Sequence, residues 1–454
     1  MSSLSNKKVL IILDNVKDSD QPLLEAVCEG SEPSFYAKLL VEIRMPHSHV
    51  KKLWEEKQEL NNLEGIDLSK CKELEELPDL SEAKRLRWAK RHLNSLQHIS
   101  VKSCSNLRIC GIVRDLIENL DLSNTKVEKL DKSIGKLHKV ECLILEGSRV
   151  KHLPKELSAL KLLKELKHLY SGLEIDKHQL QGLFNGLSSL QILHLKDCSH
   201  LFEFPDNIDF LSKLRELRLD GSNVTWLPAT IKCLQELEIL SLNNCKFLET
   251  LPELPSSIKE FSADNCISLE SVSALNTLAT KMVGKTKCIS FNNSLKLSAG
   301  HTLHSIMESI HSTMVSAVSS NVTVRSYAID VHSYNYNSVE VCLPGDTIPK
   351  QFAYKTEKSS SITIELPESP SNFLGFIYSV VLSPRHGMEK NGAKIRCEYN
   401  FAGGKNSSWE DITISELNSD HVYIWYDPFL TDKILGQYGP SFHLKFSVAT
   451  DTGS

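Results

Sequence analysis

Three stretches of the sequence hold residue types at spacings that would suit chemistry. Val9-Leu10-Ile11-Ile12-Leu13 is an apolar run closed by Asp14 and Asn15. A buried parallel strand ending in a carboxylate is how phosphate-transfer proteins hold Mg²⁺, because a hard cation takes oxygen ligands beside the nucleotide phosphates. That chemistry needs a glycine-rich phosphate loop ahead of the strand, and only six residues precede Lys7. Ala279-Thr-Lys-Met-Val-Gly284-Lys285-Thr286 approaches the G-x-x-x-x-G-K-[ST] loop, but Ala279 replaces the first glycine and no apolar strand leads into it. A solvated basic turn is the expectation there. His304 and His311 share a helical face without an H-E-x-x-H pattern, and no G-x-S-x-G elbow or coherent nucleophile, base and acid set is present. The expectation is a chain that is not an enzyme, with no cofactor and no metal; Asp14 and Asn15 are then a degenerate nucleotide motif.

Binding chemistry is better supported, and it depends on a repeat. Leu63-x-x-Ile66-x-Leu68-x-x-Cys71, Leu190-x-x-Leu193-x-Leu195-x-x-Cys198 and Leu237-x-x-Leu240-x-Leu242-x-x-Cys245 share one spacing. Such a unit cannot bury its own apolar face, so it is stable only when stacked on copies of itself into a solenoid with a wide surface of short strands. Ten units register, starting at Leu40, Leu63, Leu96, Ile117, Val140, Leu163, Leu190, Leu214, Leu237 and Ile258, mostly 21 to 24 residues apart. The steps after Leu63 and Leu163 are longer. Leu163-Leu166-Leu169 fits the pattern poorly and reads as a distorted unit or loop insertion.

Residues between the inward leucines face the concave surface. They are His98, Ser100 and Lys102; Asn119, Asp121 and Ser123; Ile144 and Glu146; His194, Lys196 and Asp197; Glu216, Arg218 and Asp220; Ser241, Asn243 and Asn244; and Glu260, Ser262 and Asp264. Adjacent, independently variable positions on a rigid scaffold suit protein recognition, with Arg and His supplying directed polar contacts. Cys71, Cys104, Cys198, Cys245 and Cys266 share one inward repeat position that Thr125, Ser148 and Ser222 fill elsewhere. Small buried thiols and hydroxyls filling a recurring pocket account for them, without disulfides or zinc. Leu77-Pro78, Leu153-Pro154, Leu227-Pro228 and Leu251-Pro252 close many units, so irregular or short helical return segments are expected.

Beyond Cys266 the pattern decays into a connecting segment, residues 274–338, holding one helical stretch, Leu303-Ile306-Met307-Ile310-Met314. From Val339 the apolar period becomes two, through seven short strands, Val339-Val341-Leu343, Ile362-Ile364-Leu366, Phe376-Tyr378-Val380, Ile395-Cys397-Tyr399, Ile412-Ile414, Val422-Ile424-Tyr426 and Leu444-Phe446-Val448. Short alternating strands at these intervals indicate an antiparallel sandwich. Trp409, Trp425, Tyr426 and Phe429 are its candidate partner anchors, with core packing the competing role for Trp425. The fold class is therefore an α/β leucine-rich-repeat solenoid of about ten repeats followed by an all-β jelly-roll/Ig-like sandwich.

Charge narrows the partners. With 52 basic and 57 acidic residues the net charge is -5, which gives no polyelectrolyte signature for nucleic acid or an anionic membrane. No apolar run approaches a membrane span and no secretory signal is evident, so a cytoplasmic or nuclear location is expected.

Three segments together resemble the plant disease-resistance receptors of the TIR, nucleotide-binding, leucine-rich-repeat class. Lys7 to Val16 resembles the second nucleotide-binding motif of the NB-ARC module. The stretch Val41-Glu-Ile-Arg-Met-Pro-His-Ser-His-Val-Lys-Lys-Leu-Trp54 and Leu63-Glu-Gly-Ile-Asp-Leu-Ser69 are similar to the first repeats. Leu343-Pro-Gly-Asp-Thr-Ile-Pro349, Asn372-Phe-Leu-Gly-Phe376 and Asp420-His-Val-Tyr-Ile-Trp-Tyr426 are similar to the C-terminal jelly-roll. The resemblance implies an NB-ARC remnant over residues 1–30, repeats over 31–273, a linker over 274–338 and a jelly-roll/Ig-like domain over 339–454. It also implies that repeats and jelly-roll recognise a pathogen effector or a guarded host protein, with a full-length immune receptor as a further partner. Members of that class also bind ADP or ATP and break down NAD. Those activities are not expected of this sequence, which lacks the phosphate loop and the TIR segment; the alternative is an incomplete gene model of a full receptor that retains them.

Overall fold

The structure, a computed structural model, describes residues 9–12, 40–53, 65–75, 98–100, 117–169, 172–273, 287–298, 306–308, 310–311, 314–315, 339–348, 352, 356, 361–365, 377–384, 393–401, 408–414, 417–426 and 441–449. Asp14, Asn15, Lys102, Cys104, Phe429 and the Gly284-Lys285-Thr286 turn lie outside these residues. Two compact units divide the chain, residues 1–237 and 238–454.

In the first unit, nine parallel strands follow one another in chain order: β1 (Val9–Ile12), β2 (Leu40–Arg44), β3 (Gly65–Asp67), β4 (His98–Ser100), β5 (Asn119–Asp121), β6 (Cys142–Ile144), β7 (Glu165–Leu169), β8 (Ile192–Lys196) and β9 (Glu216–Arg218). Apolar side chains of these rungs pack inward, and Ile43, Ile66, Leu120, Leu122, Leu143, Leu145, Leu166, Leu193, Leu195, Leu217 and Leu219 are all buried. β1 pairs in parallel with β2, so the apolar run read as a nucleotide-binding remnant supplies the outermost strand of this ladder.

The return segments follow from the prolines. Pro154, Pro205 and Pro228 hold extended backbone immediately before 3-10 turns at Lys155–Ala159, Asp206–Phe210 and Ala229–Cys233, each of which buries one apolar side chain. The longer step after Leu163 accommodates an α-helix, Lys177–Phe184, started by a capping box in which Asp176 and Gln179 satisfy each other's backbone amides. That step is therefore not a distorted rung. β7 is a regular strand pairing with β8 over five residues, and its register sets His168 against Leu195, so a histidine occupies a position that leucine holds in neighbouring rungs. The substitution hides the repeat from a leucine count.

A second ladder explains the recurring Asn, Asp and Gly after each strand. Lys70, Asn124, Gly147, Asp197, Gly221, Asn244, Asn265 and Asn293 all adopt positive φ, two residues beyond the last inward strand residue. Asparagine, aspartate and glycine tolerate that left-handed turn best. Asp197 and Asn244 thus belong to the turn rather than to the strand face. One residue later, the inward Cys or Ser bonds to the preceding rung. Cys71 Sγ donates to the Met45 carbonyl (3.0 Å), Ser222 Oγ to Leu195 (2.8 Å), Cys266 Sγ to Leu242 (3.1 Å) and Ser294 Oγ to Ala263 (2.7 Å). Burial pushes the Cys198 thiol at this position up to about 12, so it stays protonated. Every described cysteine is a free thiol.

In the second unit, β10 (Ile239–Ser241), β12 (Glu260–Ser262) and β14 (Lys287–Ser290) pair in parallel with one another in chain order, with β11 (Thr250–Leu251) and β13 (Ser271–Val272) forming a small separate sheet. The rungs run past residue 273: β14 lies inside the stretch read as linker, and Phe291 immediately after it packs on Phe261 with ring centroids 5.2 Å apart. Residues 306–308, 310–311 and 314–315 are helical, with Ile306, Met307, Ile310 and Met314 buried. β15 (Val339–Pro344) pairs in parallel with β14 and antiparallel with β20 (His421–Tyr426), which also pairs with β17 (Ile377–Leu382). A four-stranded sheet, in the order β16 (Ser361–Glu365), β21 (Ser441–Ala449), β18 (Ala393–Phe401) and β19 (Ser408–Ile414), faces it. Trp425 joins the two sheets, stacking on Tyr378 at 5.2 Å and meeting Phe446 edge-on at 5.8 Å. Trp425 and Tyr426 are core residues, and neither is available as a partner anchor.

Candidate binding surface

Pairing register in the first unit aligns outward residues of β5 to β9 into two rows. Asn119, Cys142, Glu165, Ile192 and Glu216 form one, and Asp121, Ile144, Lys167, His194 and Arg218 form the other. Over β7 to β9 the first row carries Glu165, Ile192 and Glu216 and the second Lys167, His194 and Arg218, so on β7 and β9 an acid and a base flank one inward leucine of a rigid strand.

Glu216 is the hub of this cluster. Its Oε1 accepts from His194 Nε2 at 2.9 Å and from Arg218 Nε at 2.5 Å. Burial alone would raise its pKa, but Arg218 and His194 outweigh burial and hold the carboxyl below its usual value. For His194 burial wins: although Glu216 favours the proton, burial together with Arg218 and Lys167 lowers the pKa. The imidazole is therefore neutral and donates through Nε2–H, while its buried Nδ1 has no hydrogen-bond partner among the described residues. Arg218, always charged, is the group that keeps Glu216 ionised. Next to this pair Lys167 Nζ donates to Glu165 Oε2 at 2.8 Å, and burial, which would lower the lysine pKa, is overcome by Glu165. Cys142 Sγ lies 3.6 Å from the same oxygen, its thiol pushed up to about 12 by burial and then by the carboxylate charge. At the strand ends Lys196 pairs with Asp220 at 3.1 Å.

Of the expected partner-binding residues, His194, Lys196, Glu216, Arg218 and Asp220 thus come together. Asp121 takes a different role, accepting from the Ser123 backbone amide and hydroxyl to shape the turn. Asn243 and Asp264 also build structure. Asn243 Oδ1 accepts from the Asp264 amide, and the Asp264 carboxylate accepts from Ser290 and from the Asn292 amide and side chain. Burial raises the Asp264 pKa despite those donors. These short polar side chains bond to backbone and side-chain groups of their own or the next rung. His98 and Ser100 lie in β4 and Trp409 in β19, but their side chains are outside the described residues. Glu165, Lys167 and Cys142 were missed from the sequence. They occupy the position just before, or just after, an inward leucine, the signal that a strict strand register would have read.

Comparison with known proteins follows the same division. Residues 343–449 match the C-JID domain family and residues 40–58 a leucine-rich repeat family. Disease resistance-like protein DSC1 of Arabidopsis thaliana is 26% identical over 91% of this chain and 42% of its own length. Disease resistance protein RPP2B of the same plant is 26% identical over 87% of the chain and 40% of its length. TMV resistance protein N of Nicotiana glutinosa is 24% identical over 56% of the chain and 30% of its length. The chain spans less than half the length of these relatives. Among the described residues no helix is long and apolar enough to cross a membrane. The homologues of this chain are plant TIR-NB-LRR disease resistance proteins, and it carries leucine-rich repeats and a C-JID domain.

Proposed function

We propose that this chain serves plant defence as a recognition module, binding a pathogen effector or a guarded host protein through the outward rows of β7 to β9. The observation that carries this reading is the cluster of Glu165, Lys167, His194, Glu216 and Arg218 on adjacent rigid strands. Its charged groups are positioned by one another and remain partly exposed, Arg218 at 32% and Glu165 at 35% of their side-chain surface. Among the described residues only the Nε of Arg218 is engaged, which leaves both terminal nitrogens of its guanidinium to meet a partner's acceptors. The relatives named as disease resistance proteins supply the biological setting. The proposal is of binding without catalysis, with signalling carried out by a partner such as a full-length receptor.

The test is biosensor binding of candidate effectors to the wild-type chain and to Arg218→Glu and Lys167→Glu variants whose fold is confirmed by circular dichroism. Loss of binding in both supports the reading. Undiminished binding in both removes this face from consideration. A second reading is favoured by the relatives' greater length: the chain is part of a longer receptor that binds ADP or ATP and breaks down NAD. Sequencing the full transcript separates the two.

A further inference from the structure

One imidazole joins the last rung to the sandwich within the second unit. His421, fully buried at the start of β20, accepts at Nε2 from the backbone N–H of Asn293, 2.8 Å away. Its Nδ1 lies 2.7 Å from the Ser419 carbonyl oxygen. A carbonyl only accepts, so the proton sits on Nδ1 and Nε2 presents its lone pair; the surroundings select a neutral imidazole of one tautomer. Asn293 engages the same loop a second time, its Oδ1 accepting from the Asn418 backbone N–H at 2.8 Å. Asn293 is the left-handed residue of its rung, with φ 59°. The repeat turn therefore both shapes the rung and grips the loop before β20.

Two carboxylates act on this imidazole, Asp264 from the turn after β12 and Asp420 from its own loop. Its pairing neighbours, Pro344 on β15 and Leu382 on β17, carry no charge, and neither do Asn292 and Asn293 of the facing turn. Burial opposes the carboxylates and prevails, lowering the pKa.

We propose that His421 is a proton-sensitive latch between the last leucine-rich rung and the C-JID sandwich. Protonation turns Nε2 from an acceptor into a donor pointing at the Asn293 N–H, and two donors head-on release the loop at 417–421 from the turn at 291–294. The released imidazole has the ordinary histidine pKa of about 6.5 and the latched one a lower value. The latch is therefore at full strength above about pH 6.5 and weakens as pH falls below it.

Hydrogen–deuterium exchange on the full chain between pH 8 and pH 5.5, corrected for intrinsic exchange, tests this. Protection in peptides covering 287–298 and 417–426 should fall by up to about tenfold per pH unit below the transition, while strands β5 and β6, which hold no titrating histidine, keep theirs. His421→Phe, which cannot accept, should lose the protection at pH 8 and show no further change on acidification. Should that variant fail to fold, Asp420→Asn keeps the imidazole and removes one carboxylate that favours the proton in the latched state, so its protection should begin to fall at the same pH but go on falling to lower pH than in the wild type. Flat protection in the wild type, wild-type protection in the Phe variant at pH 8, or protection in the Asn variant that levels off at higher pH than in the wild type would each overturn the latch.

Discussion

At the scale of single residues, burial separates the inward leucines from the outward charges, and the two respond differently to truncation. Leu193 and Leu240 are at most 1% exposed. Replacing either by Ala should cost about 2–5 kcal/mol, because the rigid rung packed beside it cannot close the cavity. Lys196→Ala should cost only about 0.5 kcal/mol, since its pair with Asp220 remains partly solvated. Urea melts decide, and equal losses would mean that the strand register is wrong. Protons act on the outward cluster with a definite sign. His194 and Glu216 both have lowered pKa values, the first through burial and the second because Arg218 and His194 overcome burial. The unfolded chain therefore binds the extra protons, and the stability these groups confer is lost as pH falls, below about 6.5 for His194 and below about 4.5 for Glu216. His194→Gln should flatten the decline in melting temperature between pH 7.5 and pH 5.5; an unchanged slope would show that His194 does not titrate in that window.

At the scale of elements, the return segments are packed tightly enough to tell one glycine from another. A Cβ on Gly186 would lie 1.9 Å from the Ser158 carbonyl oxygen, backbone that cannot move without displacing the neighbouring rung. A Cβ on Gly182, inside the helix, meets nothing within 4 Å. Gly182→Ala should stabilise by roughly 0.5–1 kcal/mol through helix propensity, and Gly186→Ala should destabilise by at least about 1 kcal/mol. Thermal melts showing the same sign for both would refute the close approach. The leucine spacing made the rungs and their inward residues legible in the sequence, and the period-two strands announced the sandwich. The unit holding β7 registered at Leu163 but read as distorted, because His168 stands where a leucine was sought. β14 escaped because Thr286 and Phe291 stand where leucines are sought, three residues before Ile289 and two after it. Polar positions were harder. Asp121, Asn243 and Asp264 occupy outward positions indistinguishable in type from true surface residues, and only hydrogen-bond geometry shows that each is spent on a backbone or a neighbouring rung.

At the scale of the second unit, the sandwich cannot be treated as an independent appendage. β14 offers one edge to β12, and its other edge is filled by β15 through four register pairs, Lys287↔Val339 to Ser290↔Cys342. The family boundary at Leu343 falls within that capping strand. A solenoid ends stably only when its last rung is covered, and an open strand edge templates pairing with another chain. Removing residues 339–454 should therefore do more than delete a partner surface. It should expose the β14 edge and lower the melting temperature, and light scattering after size exclusion should find species larger than the monomer. A chain that keeps β15 but carries His421→Phe retains the edge pairing, so it should loosen at the loop without self-associating. If the chain ending at residue 338 stays monomeric with the melting temperature of the full chain, β15 is no cap and deletion becomes a clean probe of recognition. If it aggregates, lost binding in the deletion says nothing about the sandwich as a contact, and point substitutions such as Arg218→Glu carry the test of recognition alone.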